Sequence, residues 1–244
     1  MQPHIYDELG KTEQNHWWFV ARRAILKAVI EKYLERSPKF ILDAGCGTGG
    51  NLDFLKSLGG HVTAVEMNST AARIAAEKHG IGVLTGSLPD KMPFPEESFD
   101  LITLLDVLEH VEYDEKALSV LGSLLRPGGY LLVTVPAFSF LWGYHDEVHD
   151  HKRRYRSMEL ANKIKKANLK MVYCSYFNFF LFPAIAAARF TGRLLSSKSP
   201  NGDLYMPPHI INNLLKAVMS SEAAILQNTR LPVGVSLIAL ACKN

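Results

Sequence analysis

Residues 41–50 read Ile41-Leu42-Asp43-Ala44-Gly45-Cys46-Gly47-Thr48-Gly49-Gly50. A short apolar run ends in a carboxylate, breaks into glycines and passes into the helical pattern Leu52, Phe54, Leu55, Leu58. Strand, glycine turn and helix in that order let bare backbone approach a nucleotide-like ligand at the carboxyl edge of a sheet. Gly45, Gly47 and Gly50 satisfy the dinucleotide spacing G-x-G-x-x-G, but Asp43 argues against a pyrophosphate. A carboxylate there would repel the anion that a helix N-terminus attracts. A ligand carrying an ammonium and a sulfonium gains from the same carboxylate, which points to S-adenosylmethionine (SAM).

Glu66 follows the next apolar run and can accept two charge-assisted hydrogen bonds from vicinal hydroxyls, with Met67 beside it to pack on a base. The densest chemistry lies between Trp142 and Arg156: Tyr144, His145, Asp146, Glu147, His149, Asp150, His151, Arg153, Arg154 and Tyr155. An imidazole titrates near neutral pH, so His151 and His149 are the candidate general bases, with Tyr155 alongside. Arg153 and Arg154 suit a phosphate or carboxylate on a substrate. The spacing His145-x-x-x-His149-x-His151 hints at a metal. No second ligand group has matching spacing, so the sequence reading assigns no metal.

Apolar runs alternating with helical patterns predict a parallel sheet flanked by helices, an α/β fold. Strands are expected near 39–43, 61–66, 81–85, 100–105, 130–135, 170–177 and 233–241. Helices are expected near 16–36, 49–58, 69–79, 114–125, 157–168 and 208–227. Asp114 and Ser157 are the expected N-caps, and Arg126-Pro127-Gly128-Gly129 the stop of the fourth helix. Trp17 and Trp18 are adjacent and cannot share one helix face, so one packs inward while the other covers the cofactor. Some fifty residues between the last two strands exceed a minimal fold, opening on the aromatic run Phe179-Phe180-Leu181-Phe182 and passing through a polar linker, 196–203.

Taken together, these motifs resemble the class I SAM-dependent methyltransferases. Asp43 to Gly49 resembles the family's first motif, and Glu66 its ribose-binding acid. The segments Leu88-Pro89 to Leu101, Leu105-Asp106-Val107-Leu108-Glu109-His110-Val111 and Leu125 to Gly129 follow in the family's order, covering residues 40–135. The leader His16-Trp17-Trp18-Phe19-Val20-Ala21-Arg22-Arg23 and the element His151-Lys152-Arg153-Arg154-Tyr155 are similar to one bacterial branch, with a type 11 or type 23 methyltransferase domain.

The resemblance implies a Rossmann-like three-layer sandwich, with a seven-stranded, mostly parallel sheet and a reversed last strand. To this we add an inserted helical cap between the last two strands. The expected divisions are a leader over the cofactor (1–38), a core (39–178 plus 232–244) and the cap (179–231). Cofactor contacts are assigned to Asp43, Gly45, Cys46, Gly47, Gly49, Glu66, Met67, Leu105, Asp106 and His110, with Trp17 and Arg22 from the leader. Ser87 and Leu88 stand where many members carry an adenine-binding aspartate.

The expected activity is methyl transfer from SAM, giving S-adenosylhomocysteine, to an oxygen or nitrogen of a small-molecule or lipid- or glycan-linked acceptor. A non-catalytic SAM-binding protein and an NAD-dependent oxidoreductase are the alternatives. The chain has 244 residues, is 48% hydrophobic and carries a net charge of +3, too slight for nucleic acid as a bulk partner. Cys46, Cys174 and Cys242 are unpaired in spacing, and the N-terminus does not read as a signal peptide. No run reaches the roughly 20 apolar residues of a membrane span. A cytoplasmic monomer or homodimer is expected, with peripheral membrane contact through 179–190.

Overall fold

In the computed structural model, which describes residues 10–194 and 206–244, each expected strand enters one sheet. The strands are β1 Phe40–Ala44, β2 His61–Glu66, β3 Val83–Thr85, β4 Phe99–Leu105, β5 Leu125–Pro136, β6 Leu169–Phe177 and β7 Ser236–Lys243. Their order is β3-β2-β1-β4-β5-β7-β6. Strands β1 to β5 pair in parallel, whereas β7 runs antiparallel to both β5 and β6. Chain order reverses between β1 and β4, and ligands of such sheets bind at the carboxyl ends beside that switch. Asp43, Glu66 and Leu105 all stand at those ends.

Helices cover both faces: α1 Trp17–Tyr33, α2 Leu52–Lys56, α3 Ser69–His79, α4 Asp114–Leu124, α5 Tyr144–Val148, α6 Ser157–Lys166, α7 Phe182–Leu194 and α8 His209–Leu226. One core joins Ile25, Leu26 and Val29 of α1 to Leu52, Ile41, Leu101, Ile238 and Leu240. The opposite core joins Ala117, Leu118 and Leu121 of α4 and Leu160 and Ile164 of α6 to Leu42, Ile102, Leu104 and Leu237. Strands β1, β4, β5 and β7 send apolar side chains into both cores, as a sheet covered twice requires.

Several local expectations are corrected. Asp114 is the first residue of α4, not its cap, and its carboxylate accepts instead from Tyr155 Oη at 2.9 Å and Lys163 Nζ at 3.1 Å. Arg156 holds the cap position expected of Ser157. The run Arg126 to Gly129 does not end in a loop but begins β5, which therefore starts five residues before 130. The helix expected over 49–58 contracts to Leu52–Lys56, because the glycine turn uses its first residues. Helix α3 is the cleanest match. Asn68 Oδ1 accepts from the Thr70 and Ala71 amides, and left-handed Gly80 ends it.

The long insertion divides in two. Helix α8 belongs to the core: Met219 and Leu226 are buried with the α1 side chains, each stabilising by about 1.5–3 kcal/mol. Asn212 ties it down further, accepting from Trp17 N at 2.8 Å and donating to Asn15 O at 2.9 Å. Glu222 is fully buried and accepts from the amides of Asn178, Phe179 and Phe180 at 2.7–3.1 Å, fixing the chain that leads into α7. The linker expected over 196–203 lies outside the described residues.

Candidate active site

The turn after β1 is built for close approach. Gly45 has φ +80°, and a Cβ there would stand 2.7 Å from a Val107 methyl, so only glycine fits. Gly47, at φ +55°, faces open space, and its amide donates to Glu66 Oε2 at 3.0 Å. The other Glu66 oxygen accepts from Asn68 N at 2.9 Å. Both bonds aim this buried carboxylate at the glycine loop and leave it lone pairs for further donors.

Asp43 is the sharper observation. Its Oδ1 accepts from Thr103 Oγ1 at 2.7 Å, while its Oδ2 is buried with no donor. Burial pushes the carboxyl up to about 6, against the opposing pull of the Thr103 bond and the Arg22 charge. An orphaned carboxylate oxygen fits a ligand that brings an ammonium. Cys46 is buried in the same turn, and burial raises its thiol further, so it is an inert packing group.

The leader folds over this turn. Glu13 accepts from Thr48 Oγ1 and from Lys78 Nζ, both at 2.9 Å, and lies against Gly50. Arg23 donates to the carbonyls of Glu13, Gln14 and Gly50. Arg22 is buried and forms an ion pair with Asp106, which stands just past β4 at φ 55°. Asp106 Oδ1 also accepts from Thr134 Oγ1 at 3.1 Å. Trp18 stacks on Phe177 at 5.8 Å, and Trp17 meets it edge-on at 6.1 Å, so both indoles pack at the start of α1.

The remaining cofactor candidates spread along the same edge. Leu105 is buried behind Asp106, and Met67 stands 71% exposed at the rim. Ser87 pairs its backbone with Lys91 in a small bridge, at 2.8 and 3.0 Å, and Leu88 packs on the core. Thr103, Thr134 and Glu13 were not singled out from sequence. The two threonines carried a signal, being polar positions inside otherwise apolar strands.

One turn beyond Asp106 the 142–155 loop closes over the segment Leu108–His110. His151 Nδ1 donates to Asp146 Oδ1 at 2.8 Å, and its Nε2 stands 3.9 Å from Glu109 Oε1. Its ring meets His110 edge-on at 4.8 Å, with His145 and His149 tilted against each other at 4.2 Å. Burial, then the His151 charge, takes His110 down to about 3; the same causes take His149 to about 4. Burial and the charge of Asp106 raise Glu109 well above the usual carboxyl range. Burial also works against Asp146, but hydrogen bonds from His151 and Arg154 outweigh it and hold that carboxyl low.

Two expectations fail on this geometry. Tyr155 is fully buried with its hydroxyl donating to Asp114, so it is a core residue and stands apart from the histidines as a proton acceptor. Arg154 is buried against Asp146 and the Ala137 carbonyl, and Arg153 pairs with Asp114. Both arginines are committed internally, which removes the basis for a phosphate- or carboxylate-bearing acceptor.

A methyltransferase domain model matches residues 18–173, well over half of the chain. The chain belongs to the class I SAM-dependent methyltransferases. A ubiquinone biosynthesis O-methyltransferase of Nitrosococcus oceani is 29% identical over 193 residues, spanning 68% of this chain and 82% of that one. A counterpart from Colwellia psychrerythraea is 27% identical and covers 55% and 62%. Among solved structures, a SAM-dependent methyltransferase from Archaeoglobus fulgidus superposes with TM-score 0.58 at 16% identity, over 91% of this chain and 93% of that one. A geranyl diphosphate methyltransferase in complex with GPP and sinefungin gives 0.58 at 13% identity, over 90% and 78%. The methyltransferase thus uses SAM as cofactor and a small molecule as acceptor, on the seven-stranded sheet with its reversed last strand. Among the described residues, no helix is long and apolar enough to cross a membrane.

Proposed function

We propose that this enzyme moves the SAM methyl group to a hydroxyl oxygen of a small acceptor with an apolar body. The observation that carries the reading is the cluster of Glu109, His110 and His151 one turn past Asp106, beside the expected methionine end of the cofactor. Oxygen nucleophiles need a group to take their proton, and nitrogen nucleophiles need less help. The name of the Nitrosococcus relative, an O-methyltransferase, supports the same choice.

SAM, when bound, supplies an activated methyl on a sulfonium, so the protein's task is alignment and exclusion of water. Glu66 and the glycine-loop amides would hold the ribose and adenosine end and Asp43 the ammonium, with Arg22, already paired with Asp106, flanking the methionine end. Ser87 and Leu88 line the adenine side. His151, fixed in orientation by Asp146, faces the acceptor oxygen, with His149 behind it. The leader residues Glu13 to Arg23 close the pocket. For the apolar body the stacked rings of Phe138, Phe140 and Tyr176 provide a wall, Phe138 lying 4.8 Å from Tyr176 and 5.2 Å from Phe140.

The test is methyl incorporation from labelled SAM into paired acceptors of one skeleton, phenol against aniline. Incorporation into the phenols, reduced at least tenfold by His151→Ala, is expected. Equal use of the amines by wild type, or full turnover in the variant, overturns the oxygen assignment.

A further inference from the structure

We propose that Glu109, His110 and His151 form a binding site for a divalent transition-metal ion, against the sequence expectation of no metal. One ligand atom from each of the three lies within 4.8 Å of the others. The histidine triplet of the 142–155 loop lacked a partner group in sequence. The fold supplies one from a different place, the turn after β4.

The decisive feature is Glu109. Its side chain is 1% exposed and neither carboxylate oxygen has a hydrogen-bond donor. Burying a carboxylate without a partner is strongly unfavourable, so such groups carry a proton or meet a cation. Nearby cations are already matched elsewhere: Arg22 pairs with Asp106, and Arg154 and Arg189 pair with Asp146. Glu109 is thus left facing the two imidazoles.

His151 is prepared as a ligand. Its Nδ1–H is held by Asp146, which turns the Nε2 lone pair toward Glu109. A carboxylate behind a ligating imidazole is the usual way a metal site fixes tautomer and ring orientation. Two ligands of a tetrahedral ion at about 2.05 Å stand about 3.4 Å apart, so the 3.9 Å between His151 Nε2 and Glu109 Oε1 closes with a shift of half an ångström. Two nitrogens and one carboxylate favour zinc, manganese, iron, cobalt or nickel over calcium or magnesium, which prefer all-oxygen sets. Three protein ligands leave a coordination position open.

The role rests on the oxygen-transfer reading above, with an ion on His151 Nε2 taking over from the free imidazole the task of releasing the acceptor's proton. An acceptor hydroxyl meeting the ion at its open position loses its proton to water more readily. The oxygen's electron pair then forms the O–CH3 bond as the C–S bond breaks and its pair stays on sulfur.

The experiment titrates Zn2+, Mn2+ and Co2+ separately into chelator-treated full-length enzyme, with calorimetry for stoichiometry and visible absorption for Co2+. One ion per chain is expected, with a Co2+ ligand-field band. Affinity should fall at least tenfold in the isosteric Glu109→Gln and in His110→Gln and His151→Ala. No stoichiometric ion in wild type, or the same affinity in all three variants, overturns the proposal; the wild-type titration decides it even where a variant fails to fold. S-adenosylhomocysteine titrated into the same preparation reads the cofactor pocket separately. S-adenosylhomocysteine binding by an enzyme that takes up no ion overturns this site and leaves the methyltransferase reading intact, while ion uptake without S-adenosylhomocysteine binding supports this site and contradicts the cofactor assignments.

Discussion

At the scale of single residues, Asp43 gives the most quantitative expectation. Its folded carboxyl titrates near 6, above the ordinary 3.8, because burial disfavours the charge. The folded protein therefore binds a proton that the unfolded chain has released, and stability falls as pH rises from about 4 to 6. Asp43→Asn should flatten that slope in thermal melts. Cofactor binding runs the other way, since only the ionised form attracts the ammonium. Affinity for S-adenosylhomocysteine should drop about tenfold between pH 7 and pH 5, as one protonation in that window requires. A pH-independent affinity would separate Asp43 from the ammonium. Tyr155→Phe tests the correction made for that residue. Asp114 Oδ2 keeps Arg153 at 3.2 Å, so the loss is one hydrogen bond of about 1 kcal/mol, with turnover within about twofold of wild type. A thousandfold fall in turnover would return Tyr155 to the reacting centre.

At the scale of elements, the carboxyl-end turns were legible and the loop after β5 was not. Asp43, the glycines and Glu66 sit where a strand-turn-helix pattern puts them, because that geometry is local. His151 was visible as chemistry, but its partners Asp146 and Glu109 come together only when the 142–155 loop folds back on the turn after β4. No sequence period encodes that contact. The arginines were misjudged for the same reason, since a charge in a polar run looks solvent-facing until its buried partner is known. Helix α8 shows how far a core can recruit an insertion. Glu222 satisfies three amides at once, so Glu222→Ala should destabilise by about 2–4 kcal/mol and lower Tm by several degrees. A shift under 1 °C would mean that water replaces the carboxylate without cost.

For the whole molecule, one sheet edge carries both groups that the proposed reaction uses: Asp43, Gly47 and Glu66 at β1 and β2, and Glu109, His110 and His151 after β4 and β5. The helix-flanked parallel sheet followed from the alternating pattern and its reversed last strand from the family resemblance, whereas the division of 179–231 into a core helix and an outer helix did not, because apolar composition alone is shared by both. Outer helix α7 and its approach leave Phe180 45% and Phe190 63% exposed, and the membrane contact expected of 179–190 is proposed to use them. Wild type should co-sediment with anionic vesicles and Phe180→Glu/Phe190→Glu should not. Equal sedimentation of the two proteins would contradict peripheral contact.

The edge formed by Asp43, Gly47 and Glu66 is proposed to hold SAM. Calorimetric titration of S-adenosylhomocysteine into wild type and Glu66→Ala tests it most directly. Micromolar one-to-one binding, weakened at least tenfold in the variant, is predicted. Undiminished affinity in Glu66→Ala would contradict the placement of the ribose, and no binding by wild type would contradict the site itself.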